Sequence, residues 1–310
     1  MNDELLLISV IMPNYNYGQF IEESICSVLN QTYKNLELII IDNYSDDNTD
    51  EIISKISDNR MKVYKFNNNG VIAASRNFGI SKCSGDIVAF IDSDDIWLPN
   101  KLEKQLSCFS NNEIVCVGSN FIPIGETHYC KYKIPINSNE MYRDFTYSDI
   151  ALFNPVINST VLIKRNTLLE LGGLDENPDF RCIEDWELWL RLSSVGIVRI
   201  LNEKLIKYRI HNNVSRDNRI VYLNILKLLD QHFEMGYMNR VLLEQAKGNY
   251  YISIGGAFLK MNDRQGLKYY WLALKSSTGV SNKLRSVAGL CLFVMPLTIR
   301  NIVINFYYNA

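Results

Sequence analysis

A chain of 310 residues with 47% hydrophobic and 21% charged side chains can bury one large domain, or one domain with an appendage, and is too apolar to be disordered throughout. Its formal net charge of −2 gives no support to nucleic-acid binding driven by overall basicity. Seven scattered cysteines without a Cys-x-x-Cys pair argue against a zinc framework and suit reduced thiols in a cytosolic setting, and the acidic start Met1-Asn2-Asp3-Glu4 lacks the basic region of a signal peptide.

In chain order, Leu5 to Met12 predicts a strand that stops at Pro13, with Asn14-Tyr15-Asn16-Tyr17-Gly18 as a turn-rich loop. Phe20, Ile21, Ile25, Val28 and Leu29 then recur at helical spacing. Leu36 to Ile41 is a second strand ending at Asp42-Asn43-Tyr44-Ser45, and Asp46 to Thr49 caps a helix through Ile52, Ile53 and Ile56. Met61 to Phe66 alternates as a third strand, followed by an Asn67-Asn68-Asn69-Gly70 turn and a helix containing Ala73, Ala74, Asn77, Phe78 and Ile80. The short apolar run Ile87 to Ile91 is a buried strand that ends abruptly in Asp92-Ser93-Asp94-Asp95.

This alternation of strand and helix predicts an α/β fold with a largely parallel sheet covered by helices. In such a sheet the ends carrying Asn14/Tyr15, Asp42/Asn43 and Asp92/Asp94 emerge on one edge, where open α/β sheets bind ligands. Crowded carboxylates repel, and hard oxygen ligands without nitrogen or sulfur favour Mg²⁺ or Mn²⁺ shared with a phosphate. The Asp92-Ser93-Asp94-Asp95 stretch therefore predicts a metal–diphosphate site, against a solvated acidic turn.

Further on, Pro99 suits the first turn of a helix through Leu102, Leu106 and Phe109, and Ile114 to Gly118 reads as a strand. Gly125 to Tyr147 has no clean period and is assigned to a loop or lid. Asn158 to Lys164 predicts a strand, and Thr167 to Leu171 a short helix ended by Gly172-Gly173. A helix runs from Glu184 through Leu192 to a stop near Gly196, and Val198 to Tyr208 is strand-like, leading into Arg209-Ile210-His211-Asn212. From Ile220 onward the pattern is helical, which divides the chain into residues 1–218 and a helical appendage at 219–310. In that appendage the apolar stretch Val287 to Ile299, broken by Pro296 and continued from Ile302 to Tyr308, is too short for an easy span. It suits either packing on the appendage or a membrane-interfacial segment.

The stretches Ser9-Val10-Ile11-Met12-Pro13-Asn14-Tyr15-Asn16, Gln31-Thr32-Tyr33, Glu37 to Thr49, Ser75-Arg76-Asn77-Phe78-Gly79, Phe90 to Pro99, Gly172-Gly173-Leu174-Asp175-Glu176 and Glu184-Asp185-Trp186-Glu187-Leu188-Trp189-Leu190-Arg191 are weak singly. In this order and spacing they resemble glycosyltransferase family 2, the inverting nucleotide-sugar transferases of GT-A fold. The resemblance implies that Pro13 and Tyr15 flank a nucleobase and that Asp42 and Asn43 meet its edge. Many relatives carry a second Asp where this chain has Asn43; its amide can accept and donate, so uracil stays open while base identity is less constrained. Arg76 would support the nucleotide, at the base or near the diphosphate. Asp92, within a donor stretch that includes Ser93, would contact ribose. Asp94 would bind Mn²⁺ or Mg²⁺, with His211 in reach of metal or diphosphate. Asp185 would be the general base, with Glu184 and Gly173 on the acceptor side.

The implied activity is metal-dependent inverting transfer from a nucleoside-diphosphate sugar, by preference a UDP-sugar, to a hydroxyl of a glycan or lipid-linked glycan in surface polysaccharide biosynthesis. The location implied is cytoplasmic, with the inner face of the membrane as a peripheral site, and no nucleic acid is a partner. A nicotinamide dehydrogenase would need Gly-x-Gly-x-x-Gly after the first strand, where Pro13-Asn14-Tyr15-Asn16 stands instead. A nucleotidyltransferase would need a Gly-rich basic phosphate loop there. A non-catalytic nucleotide-sugar-binding or scaffold protein of the same fold is the alternative, separated from an enzyme by product formation.

Overall fold

The computed structural model describes residues 6–127, 132–211, 218–276 and 279–295. They fall into two compact units, the first reaching Ile150 and including Asn154–Asn213, the second made of Ala151–Phe153 and the chain from Val214 onward.

The strands of the first unit are β1 (Ile8–Asn14), β2 (Leu36–Asp42), β3 (Met61–Lys65), β4 (Ile87–Phe90), β5 (Ile96–Trp97), β6 (Ile114–Gly125), β7 (Tyr142–Phe145), β8 (Leu162–Lys164) and β9 (Ile197–Ile210). Among the described residues they form one sheet in the order β3-β2-β1-β4-β8-β6-β9-β5, with β7 paired to β9. β1, β2 and β4 are buried along their whole length, which is why they are continuous apolar runs rather than alternating ones. The ladders β3-β2-β1-β4 and β6-β9 are parallel, while β8, β5 and β7 join antiparallel.

Helices α1 (Gly18–Leu29), α2 (Thr49–Ser54), α3 (Ile72–Lys82), α4 (Lys101–Leu106), α5 (Tyr147–Leu152), α6 (Arg165–Glu170) and α7 (Glu184–Val195) fill the connections. α1 buries Ile21, Ile25, Val28 and Leu29, one face at spacings of three and four. α3 lies so close on the sheet that a Cβ at Gly79 would stand 2.6 Å from the Ile11 side chain. That close approach brings Arg76, one turn earlier, to the carboxyl edge of the sheet.

Register builds the site. Asn14 pairs with Asp42 and Ile11 with Phe90, so the ends of β1, β2 and β4 share one edge, as the alternating pattern predicts. Sequence reasoning misses β5: Ile96 pairs antiparallel with Lys207, so running that ladder back sets Arg209 to His211 beside Asp92 to Asp94. Other expectations need correction. Pro99 lies ahead of the N-cap Asn100, and the helix starts only at Lys101 before tightening into a 3-10 turn at Ser107–Ser110. Asn158–Thr160 is a 3-10 turn, and the strand begins at Leu162. The stretch read as irregular holds the strand β7, held on β9 by the Arg199–Asp144 ion pair at 2.7 Å, and β6 itself runs on to Gly125. His128, Cys130, Asn212 and the tail from Pro296 lie outside the described residues.

The second unit consists of helices α8 (Asn218–Glu234), α9 (Arg240–Lys260), α10 (Gly266–Lys275) and α11 (Val280–Val294). The Tyr270 ring of α10 occupies space that only glycines leave, at Gly255 of α9 and Gly289 of α11. Among the described residues no helix is long and apolar enough to cross a membrane.

At the edge opposite the strand ends that gather Asn14 and Asp42, Glu37 of β2 accepts from Ser9 Oγ of β1 (2.7 Å), from Ser84 N and Oγ ahead of β4 (both 2.7 Å) and from Lys62 of β3 (2.8 Å). Burial alone would raise this carboxyl, but Lys62, Ser84 and Ser9 outweigh it and bring it down to about 2 from 4.5. A folded pKa below the unfolded one favours the native state above about pH 4.5, and that contribution is lost as pH falls toward about 2. Glu37→Gln should therefore be less stable than wild type at neutral pH and lose less stability across that acid window, as read from urea melts; parallel acid profiles would refute the assignment.

Candidate active site

The first wall of the site is the loop after β1. Asn14 is buried and donates through Nδ2 to Asp42 Oδ1 (2.8 Å) and Ser45 Oγ (3.1 Å). Asp42 has no exposed surface and also accepts from Ser45 N (2.9 Å), Ser45 Oγ (2.6 Å) and Lys65 Nζ (2.8 Å). Burial works to raise its carboxyl, yet Lys65, Ser45 and Asn14 hold it below the usual carboxylate range. Asp42 is thus turned inward, and a strand-end carboxylate this fully paired fixes the loop. Pro13 is buried in β1, whereas Tyr15 is 52% exposed and leaves a ring free to pack on a ligand. Asn43 is half-buried and its Oδ1 accepts from Asn68 N at 3.0 Å, so its amide group is oriented with the nitrogen away from that contact.

The second wall is the acidic turn after β4. Ser24 Oγ of α1 donates to the carbonyls of the buried Ser93 (2.9 Å) and of Asp95 (2.7 Å), fixing the turn on the helix. Asp92 N donates to Ser159 Oγ at 3.0 Å, and Asp92 Oδ1 accepts from Asn158 Nδ2 at 3.2 Å. Asp95 is fully buried, and its Oδ1 accepts from Arg209 N at 2.8 Å; Arg209 Nε donates to the Asp94 carbonyl at 2.9 Å. His211 Nε2 stands 2.6 Å from Asp94 Oδ2, its imidazole beside the rings of Tyr17 and Phe20, each with its centroid 6.0 Å away. Burial first, and then the Asp92 charge, raise the Asp94 carboxyl against the opposing pull of His211. Burial with the Asp94 and Asp92 charges raises Asp95 well above the ordinary range.

The third wall is the N-terminus of α7. Trp186 is buried and donates through Nε1 to the Ile150 carbonyl at 3.0 Å, which anchors the first turn. Arg76 is buried, its NH2 donating to Asp92 Oδ1 at 2.9 Å and its NH1 to Glu184 Oε1 at 3.0 Å. In the structure Arg76 is enclosed, and its guanidinium holds two protein carboxylates, one from each wall. Asp185, beside Glu184, accepts from Trp186 N at 2.6 Å. Burial, then the Glu184 charge, push the Asp185 carboxyl up to about 7 against the opposing Arg76 charge. Gly173 sits at φ +76°, where a Cβ would stand 2.6 Å from Asn77 Oδ1, so the turn ahead of α7 can close on α3 only with glycine there.

Asn158, Ser159, Tyr208 and Arg209 were not identified as site residues from sequence. Tyr208 feels the charges of Asp95, Asp92, Asp94 and Asp185 together, which marks it as a shared neighbour of both acidic walls. The polar triplet Asn158-Ser159-Thr160 interrupting an apolar stretch was the available signal for the first two.

The donor chemistry fits a hard divalent cation: a carboxylate and an imidazole converge at Asp94 and His211, and Asp95 Oδ2, Asn158 Oδ1 and Glu184 Oε2 are buried acceptors without a hydrogen-bond partner. Among the described residues no group of three His, Cys, Asp or Glu side chains converges to hold a metal ion.

Residues 9–164 match the model of glycosyl transferase family 2. The chain is 34% identical over 224 residues to the Escherichia coli UDP-Glc:alpha-D-GlcNAc-diphosphoundecaprenol beta-1,3-glucosyltransferase WfgD, covering 69% of this chain and 81% of that one. It is 35% identical over 219 residues to the putative teichuronic acid biosynthesis glycosyltransferase TuaG of Bacillus subtilis, covering 69% and 82%. The solved structure of the Pyrobaculum calidifontis mannosyltransferase PcManGT with GDP-Man and Mn²⁺ matches at a TM-score of 0.62 and 15% identity over 98% of this chain and 88% of that one, a likeness of fold. The sheet and its flanking helices have the GT-A architecture of glycosyltransferases. This chain belongs to glycosyl transferase family 2 and is a glycosyltransferase.

Removing Arg76 leaves the buried Glu184 and the partly exposed Asp92 facing each other without a cation. Arg76→Met should cost about 3–5 kcal/mol in chemical denaturation. Arg76→Lys should recover only part of that, because a single ammonium lacks the fork that spans both carboxylates. A loss under about 1 kcal/mol for Arg76→Met would show that the bridge does not hold the walls.

Proposed function

We propose that the chain transfers a sugar, with inversion, from a nucleoside-diphosphate donor to a hydroxyl of a glycan or lipid-linked glycan in surface polysaccharide biosynthesis. The observation that carries the reading is Asp185: a carboxyl raised to about 7 at a helix N-terminus, tied through Arg76 to the acidic turn that would face the donor. A base tuned near neutral pH is what proton abstraction from a hydroxyl requires. Asp185 takes the proton of the acceptor hydroxyl as its oxygen attacks the anomeric carbon. The bond from that carbon to the diphosphate oxygen breaks, and the nucleoside diphosphate leaves from the opposite face.

Tyr15 packs on the base, and Asn43 presents its amide to the base edge. Asp92 lies where the ribose would be met, beside the buried Ser93. Asp94 and His211 would hold Mn²⁺ or Mg²⁺, which when bound offsets the charge of the leaving diphosphate. Glu184 and Gly173 bound the acceptor side. A UDP-sugar is the favoured donor, supported by the donor in the name of the E. coli relative, and a lipid-linked acceptor has the same support. Such an acceptor implies a cytoplasmic enzyme working peripherally at the membrane.

A screen of UDP- and GDP-sugars with Mn²⁺ should give product with one donor class, and Asp94→Ala or chelation should abolish transfer; donor binding without turnover would instead favour the scaffold alternative. Because Asp185 must be ionised to act, kcat/KM should rise with pH through about 7. Asp185→Asn should lower kcat about 10²–10⁴-fold and remove that limb, measured as initial rates across the pH range. A folded Asp185→Asn enzyme with wild-type turnover would eliminate the base assignment.

A further inference from the structure

From Arg264 onward every charged residue is basic, namely Arg264, Lys268, Lys275, Lys283, Arg285 and Arg300, in a chain whose formal net charge is −2. A segment so opposite in sign to the rest of its chain calls for an anionic partner. Its helices show where that charge is presented.

Helix α11 is inverted with respect to an ordinary surface helix. Its inward face is made of the buried Ser286, of Gly289, whose absent side chain admits the Tyr270 ring, and of Phe293, which meets Tyr270 edge-on at 6.2 Å. Its outward face carries Val280, Leu284, Val287, Cys291, Val294 and Met295, all exposed, at spacings of three and four that keep them on one stripe. Leu284 is 64% and Val294 83% exposed. Lys283 and Arg285 lie beside this stripe and are exposed.

Helix α10, packed against α11, supplies the complement. Lys268, Trp271 and Lys275 are exposed at the same spacing, a basic line with one indole in it, and Arg264 is exposed in the turn just before the helix. Trp271 is 55% exposed, and Lys275 Nζ lies 5.2 Å from its ring centroid. Beyond Met295 the sequence continues with Leu297, Ile299, Ile302, Val303, Ile304 and Phe306, with Arg300 as its single charge.

We propose that the α10–α11 face docks on an anionic lipid bilayer, the α11 stripe entering the acyl boundary while Trp271 and the basic line sit at the headgroups. An apolar stripe bordered by Lys and Arg, with an indole at the boundary, has the composition of an interfacial helix rather than of a spanning one. A second copy of this chain fits less well, because a two-fold pairing of this face would set its own like charges side by side. The inference deepens the peripheral placement in the proposed function, and rests on it for biological purpose, but its evidence is the helix faces alone. Vesicle binding and sugar transfer are therefore read separately: loss of one leaves the other standing.

The test uses the full chain in co-sedimentation with vesicles of phosphatidylcholine containing phosphatidylglycerol and with vesicles of phosphatidylcholine alone. Binding is expected on the anionic vesicles, weakened by salt and about tenfold or more weaker on the neutral ones. The double variant Leu284→Glu/Val287→Glu should lose vesicle binding while keeping its circular dichroism, thermal melt and donor hydrolysis, since both side chains are exposed. Lys268→Glu/Lys275→Glu should lose the preference for anionic lipid. Wild-type protein that stays in the supernatant, variants that bind like wild type, or a solution dimer that Leu284→Glu/Val287→Glu dissolves without any vesicle binding would each overturn the proposal.

Discussion

A guanidinium that cannot reach water is held in place only by the carboxylates it faces, and here those carboxylates lie far apart in the sequence. Arg76 joins Asp92, at the end of a central strand, to Glu184, at the start of a helix 92 residues later. Each carboxylate would be costly to enclose without it, and the arginine would be costly to enclose without them. The three are therefore a single geometric constraint. They set the acidic turn and the α7 N-terminus at one fixed separation, and Asp185 inherits its position from that constraint. The same charge that fixes the α7 N-terminus also restrains Asp185, since Arg76 opposes the burial and the Glu184 charge that would push its carboxyl higher.

The acidic turn is built on a second principle, antiparallel return. β5 is only two residues long, yet its pairing with β9 carries Arg209 and His211 back to Asp94 and Asp95. Three adjacent carboxylates are tolerated because different partners take them: Arg76 and Asn158 hold Asp92, His211 faces Asp94, and the Arg209 backbone meets Asp95.

What the sequence discloses and what it hides follow from the range of the interactions involved. The parallel half of the sheet was legible, because strands buried on both faces are continuous apolar runs and their polar ends mark one edge. Motif order draws Arg76, Asp92 and Glu184 into one reading, and the structure joins those three side chains. The inward turn of Asp42 was not legible, since it depends on Lys65 arriving from the neighbouring strand; nor was the enclosure of Arg76, which depends on a helix more than a hundred residues away. Short elements were lost for a similar reason. β5 and β7 exist because β9 is there to pair with them, and no local period announces a strand of two or four residues. Asn158-Ser159-Thr160 went into a strand because its neighbours are apolar, whereas the structure uses those polar groups to hold Asp92 and to accept from the Trp97 indole.

The second unit shows the limit of periodicity in its sharpest form. A hydrophobic stripe identifies a helix face but not the direction in which that face points. In α1 the apolar stripe is the inner one, and the sheet covers it. In α11 the inner face is made instead of small residues and one aromatic, because the Tyr270 ring requires room at Gly289, so the branched aliphatic residues are turned outward. The packing of a single tyrosine thus decides that an apolar stripe remains uncovered. Under the proposed docking, the all-basic charge of the same segment complements a boundary that is anionic at its rim and apolar within.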